Sequence, residues 1–166
     1  MSIIDQVLSF LEEEGCDAVV LKEDRAVRTG LQGENGEWIC DIELVPMSPE
    51  VYVLGIMSYP DEEEWEALND DQMQVARQLA NRINFEYMLF GSFEIDPKDG
   101  SWRLRTSLAF TEEEFSVELL KHAMFINWTE MDYYYPLLGT VLIDGEDLED
   151  TWADFEDQME EEEGEA

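Results

Sequence analysis

The sequence predicts an α+β domain: an antiparallel β-sheet of about five to six strands with two to three packing helices. Three observations carry this. Residues 89–95 and 102–110 alternate apolar and polar side chains on either side of Asp96-Pro97-Lys98-Asp99-Gly100, the pattern of a hairpin with one greasy face. Upstream, short apolar runs are separated by turn residues, which implies consecutive antiparallel strands. Three further stretches carry apolar residues at helical spacing.

Taken in order, Ser2 is placed to cap a helix whose stripe is Ile3, Ile4, Val7, Leu8 and Leu11, and Gly15 stops it. Residues 17–23 contain the β-branched pair Val19 and Val20, a turn follows at Asp24-Arg25, and residues 26–31 return as a second strand before Gly33-Glu34-Asn35-Gly36. Trp38, Cys40, Ile42 and Leu44 then share one face of a strand whose other face carries Glu37, Asp41 and Glu43. Residues 51–57 are apolar on both faces, interrupted by Gly55, and read as a central strand covered on both sides. Pro60 closes it, and residues 61–64 form a polar link.

Asn69, with Gln72 three residues on, starts a second helix carrying Met73, Ala76, Ala80, Ile83 and Tyr87, with Arg77 and Arg82 on its outer face. After the hairpin, Thr111 and Glu114 form a capping-box pattern ahead of a third helix bearing Phe115, Leu119, Ala123 and Ile126. Pro136 predicts a break near Tyr135 followed by a short helix over residues 137–143. Residues 1–143 read as one domain and residues 144–166 as an acidic tail, helical to about Phe155 and disordered from Glu160 onward.

The chain has 166 residues, 45% of them hydrophobic, enough for a real core. Its 42 acidic and 9 basic side chains give a net charge of −33, which repels phosphate backbones and anionic lipid heads. Nucleic acid and membrane surfaces are therefore not expected partners. Residues 144–166 hold 13 of the carboxylates and no Lys or Arg, so residues 1–143 carry −20 by themselves. No run approaches the roughly 20 apolar residues of a spanning helix, residues 1–14 have no basic n-region, and a cytoplasmic protein is expected. Cys16 and Cys40 have no metal-type spacing and read as buried thiols rather than a disulfide.

Few residues carry the signature of chemistry. His122, the single histidine, has no partner motif, and no metal or cofactor pattern is present: Asp144-Gly145-Glu146-Asp147 lacks the ligand spacing of a calcium loop, and the glycines at 30–36 open no helix. Arg103 and Arg105 share the outward face of the second hairpin strand, where they either balance local carboxylates or receive an anionic group of a partner. Tyr133, Tyr134 and Tyr135 point about 100° apart on a helix, so one face cannot bury all three. They suit a partner contact or an ordinary core boundary. In the tail, Leu148, Trp152, Phe155 and Met159 recur at steps of four, three and four, the stripe of a helix that docks on a partner or on the domain itself.

The run Phe90-Gly91-Ser92-Phe93-Glu94-Ile95-Asp96, then Asp99-Gly100, then Arg103-Leu104-Arg105-Thr106-Ser107-Leu108, the Thr-Glu-Glu start at Thr111 and the aromatic-Pro-Leu-Leu end at residues 135–138 resemble the YbjN-like family of bacterial regulatory proteins. The resemblance spans most of residues 1–143 and implies the fold of small type III secretion chaperones. It further implies a non-enzymatic domain, often a homodimer, that binds another protein in extended form or acts in regulation. The tail and the tyrosine triplet are departures from that pattern, and no family catalytic residue exists to carry over. The expected function is thus a protein-binding, chaperone-like or regulatory adaptor module using Tyr133, Tyr134, Leu148, Trp152, Phe155, Met159, Arg103 and Arg105. The alternative is a small-ligand domain or enzyme using carboxylates and His122.

Overall fold

The computed structural model describes residues 2–22, 25–60, 68–98 and 100–165, with side chains as far as Met159. The elements are α1 (Ile3–Glu13), β1 (Ala18–Lys22), β2 (Ala26–Gln32), β3 (Glu37–Pro46), β4 (Val51–Tyr59), α2 (Asp70–Glu86), β5 (Gly91–Ile95), β6 (Trp102–Thr111), α3 (Val117–Leu138), a π-helical turn (Gly139–Ile143) and α4 (Leu148–Glu165). The six strands form one antiparallel sheet in the order β1-β2-β3-β4-β6-β5, so the class is α+β as the sequence predicts. The turn at Asp24, the link over residues 61–64 and Asp99 lie outside the described residues.

Local chemistry explains where two helices start. Ser2 Oγ accepts from the Asp5 amide at 3.1 Å while the Ser2 amide donates to Asp5 at 2.9 Å. Asn69 and Gln72 repeat that reciprocal box at α2. α1 ends before Gly15, whose φ of +78° is the left-handed conformation that glycine adopts without a Cβ penalty.

Two expectations about α3 are corrected. Its cap is Ser116, whose Oγ accepts from the Leu119 amide at 3.2 Å, not Thr111. Thr111 is the last residue of β6, and its hydroxyl donates to Glu114 at 2.8 Å, closing a turn before the helix. Nor does Pro136 break the helix, which continues to Leu138 and then widens into the π-helical turn. A proline removes the donor for the carbonyl four residues back. Here that carbonyl, on Asp132, accepts instead from the Asn35 side-chain amide at 3.3 Å.

The helices cover one face of the sheet. Val27, Cys40, Ile42, Leu54, Ile56 and Leu104 are fully buried beneath them, whereas Arg103, Arg105, Val45 and Val51 on the other face are exposed. The expectation of a doubly covered β4 is therefore corrected: Val53 and Met57 are half-buried without a covering layer, and Arg103 Nη1 lies 3.7 Å from Met57 Sδ, shielding it with its own side chain. Leu89, assigned by alternation to the hairpin, precedes β5 and is 85% exposed.

Two clusters fill the core. One joins α1 to β2, β3, β4 and the start of α3, and the other joins α2, the end of α3, the π-helical turn and α4 over β5 and β6. Asn127 sits where α3 crosses β4 and β6, fully buried. Its side chain accepts from Ser58 Oγ at 2.6 Å and donates to Thr106 Oγ1 at 3.1 Å, so the polar group is satisfied within the core.

Candidate protein-binding surfaces

The open face of the sheet holds paired charges. Arg28 grips Asp41 through two bonds of 2.7 and 2.9 Å, and Tyr59 joins them, its hydroxyl 2.8 Å from Asp41 and 2.6 Å from Arg28. Burial, reinforced by the Asp41 carboxylate, raises the Tyr59 hydroxyl pKa. Arg103 and Arg105 both reach Glu94 on the neighbouring strand, the Arg103 contact at 2.7 Å. The two arginines singled out from the sequence thus balance a local carboxylate, and as a trio with Glu94 keep one positive charge in excess on a strongly acidic protein.

Both edges of the sheet are bordered by exposed apolar side chains. On edge strand β1, Val19, Val20 and Leu21 are 64%, 45% and 44% exposed. At the other edge, Leu89 and Phe90 lead directly into β5, and Phe85 near the end of α2 stands clear of the core. Natural sheets usually guard such edges with charge or proline, because unpaired strand N–H and C=O groups invite another chain.

The tail residues come together with the tyrosines. Trp152 is buried, its ring 5.9 Å from Tyr87 and 5.8 Å from Phe155, with the Arg82 guanidinium 4.2 Å above it. Phe155 meets Tyr133 at 5.5 Å and Tyr134 at 5.7 Å, and Leu148 packs half-buried at the edge of the same cluster. Tyr134 is buried against Phe93, while Tyr135 packs on Trp38 and Trp102. The stripe predicted for the tail is therefore seated on the chain's own aromatic residues, with Met159 half-buried at its end. Burial, with Glu130 nearby, raises the Tyr134 pKa.

His122 stands apart from all of this. It is exposed on α3, 4.0 Å from Glu118 one turn away. An open cleft of about 710 Å³ lies between α2 and the β5–β6 turn, lined by Met73, Arg77, Asn81 and Lys98 among others, and His122 is not part of it. The thiols are free, Cys40 buried and Cys16 partly so. Among the described residues no cluster of metal-ligating side chains occurs and no helix is long and apolar enough to cross a membrane.

Sequence reading missed three residues that organise these surfaces. Asp132 and Asn127 make contacts across the fold that no local pattern signals, and Arg82, read as an outward charge of α2, reaches Glu149 of α4 at 3.3 Å.

The fold and surfaces define a class: a six-stranded antiparallel sheet, helical on one face, with apolar borders. No family model matches the chain and no curated protein matches it. Among solved structures the chain is similar to one in the ExsC–ExsE complex, with a TM-score of 0.49, 14% identity, and coverage of 83% of this chain and 97% of that one. It is also similar to YbjN from E. coli (TM-score 0.43, 12% identity, 74% of this chain and 79% of that one). A third similar structure is in the HopA1–SchA chaperone–effector complex (TM-score 0.41, 14% identity, 80% and 98%). YbjN, the likeness expected from the hairpin, is thus among the similar structures.

Proposed function

We propose that this protein is a non-enzymatic polypeptide-binding module, chaperone-like or adaptor-like, that takes up an extended segment of another protein along the edges of its sheet. The observation that carries the reading is the exposure of Val19, Val20 and Leu21 on β1 and of Phe85, Leu89 and Phe90 beside β5 in a chain of net charge −33. A segment adding to β1 gains main-chain hydrogen bonds along the free edge and places alternate side chains against the exposed valines. The surrounding carboxylates favour neutral or basic segments and keep the complex soluble. A second copy of this chain meets the same edges against its own charge, so self-association should strengthen as salt screens the repulsion.

The test is binding of a panel of labelled extended peptides, apolar residues alternating with neutral, basic or acidic ones, followed by fluorescence anisotropy. Binding of the neutral and basic members with weak binding of the acidic ones is expected. Absence of binding to every member at low and moderate salt would overturn the proposal.

A further inference from the structure

α4 occupies a seat that its own charge opposes. Between Leu148 and Met159 it carries Glu149, Asp150, Asp154, Glu156 and Asp157 and no cation, and it docks on a body that carries −20. Glu86 on α2 and Glu130 on α3, each close enough to influence a tyrosine of the seat, add carboxylates to the rim. Against these stands Arg82, divided between Glu149 at 3.3 Å, Glu86 at 3.7 Å and the face of Trp152. The Trp152 indole N–H is buried without an acceptor, a further cost of the docked state. What chiefly holds α4 is apolar contact, Trp152 and Phe155 against Tyr87, Tyr133 and Tyr134, with one long hydrogen bond of 3.4 Å from the Tyr87 hydroxyl to Glu156. The connection over residues 144–147 is exposed, so α4 can leave without disturbing α3.

We propose that α4 is a releasable cover over an aromatic groove between α2 and α3. The groove's better occupant is an amphipathic helix of another protein that repeats the Leu-Trp-Phe spacing of α4 and carries basic residues where α4 carries carboxylates, save the one that faces Arg82. This goes beyond the edge-strand reading, because the groove is a separate surface and takes a helix rather than an extended segment. Two opposite salt dependences follow. Raising ionic strength from about 0.01 M to about 1 M shortens the screening length from about 30 Å to about 3 Å, which relieves the repulsion on α4 and tightens its docking. The same change weakens a basic helix, whose attraction it screens.

Hydrogen–deuterium exchange on the full chain and anisotropy with one labelled peptide test both arms. The peptide keeps the Leu148, Trp152, Phe155 and Met159 side chains of α4 and Glu149, which faces Arg82, and has lysine at the other four carboxylate positions. Amide protection over residues 148–159 should rise several-fold with salt while that of α1 stays level, and Arg82→Gln should lower it. The peptide should bind most tightly at low salt and strip protection from α4, and Trp152→Ala in the full chain should tighten its binding several-fold. Should Trp152→Ala compromise folding, Phe155→Ala, a half-buried position of α4 that leaves the groove's own residues intact, carries the same test. Protection of α4 that ignores salt, or peptide binding that leaves α4 protected, would overturn the proposal. Val20→Lys and Phe90→Lys, which probe the sheet edges, should leave the groove peptide unaffected, so failure of either surface is read independently.

Discussion

Asp132 on α3 holds the turn between β2 and β3 through Asn35, 97 residues away: its Oδ1 accepts from the Asn35 backbone amide at 2.8 Å. Its main-chain carbonyl, left without a helical donor by Pro136, accepts from the Asn35 side chain. A second carboxylate bond, to the Glu34 amide at 3.2 Å, completes the clasp. The proline and the turn are thus two halves of one contact. Asp132→Ala should cost about 1–3 kcal/mol, since two amides lose their acceptor. Pro136→Ala should be nearly neutral, because the new N–H can bond the Asp132 carbonyl within the helix. Urea denaturation of both variants checks the contrast.

The same turn sets a steric test. A Cβ on Gly36 would lie 2.5 Å from the Tyr135 ring, closer than side chains tolerate. Gly36→Ala should therefore cost about 1–3 kcal/mol as Tyr135 is displaced from Trp38. The signature is a lowered melting temperature with a changed near-ultraviolet spectrum from the Trp38–Tyr135 pair.

Asn127 makes a sharper prediction. Replacing it with leucine strands Ser58 and Thr106 in the core, at a cost of about 2–4 kcal/mol. Combining Asn127→Leu with Ser58→Ala and Thr106→Val should recover part of that loss, because the stranded partners go too. A triple variant no more stable than the single one would show that packing, not hydrogen bonding, sets the cost.

Burial pushes the Cys40 thiol up to about 12 from its ordinary value of 9. In the native protein Cys40 should resist alkylation at mildly alkaline pH, while Cys16, partly exposed, reacts first. Both should react once the chain is unfolded. The sign of the stability effect follows: above about pH 9 the unfolded thiol loses its proton while the folded one keeps it, so stability falls as pH rises from there towards 12. Mass spectrometry after timed alkylation reads the first effect and alkaline denaturation the second.

What was legible in the sequence was local. Ser2 and Asn69 start their helices where predicted because a capping box is written in four consecutive residues, and the one-faced hairpin of Trp102, Leu104 and Phe110 is a period-two pattern. Thr111 misled because it has the same box chemistry as Ser116 but spends it on the end of a strand. β4 misled because its open face keeps apolar side chains with no helix above them, Met57 being screened by Arg103. Asp132, Asn127 and Arg82 were illegible as site builders, since each acts through a partner distant in sequence.

The central claim is that the apolar borders of the sheet bind polypeptide, and the direct measurement is the affinity of the best neutral or basic extended peptide for the full chain and for Val20→Lys and Phe90→Lys. Both substitutions lie on exposed positions and should leave the melting temperature within a degree or two of the parent, as surface changes within about 0.5 kcal/mol do. The account predicts that one or both weaken binding at least about tenfold, the equivalent of 1.4 kcal/mol. Unchanged affinity in both variants would contradict it.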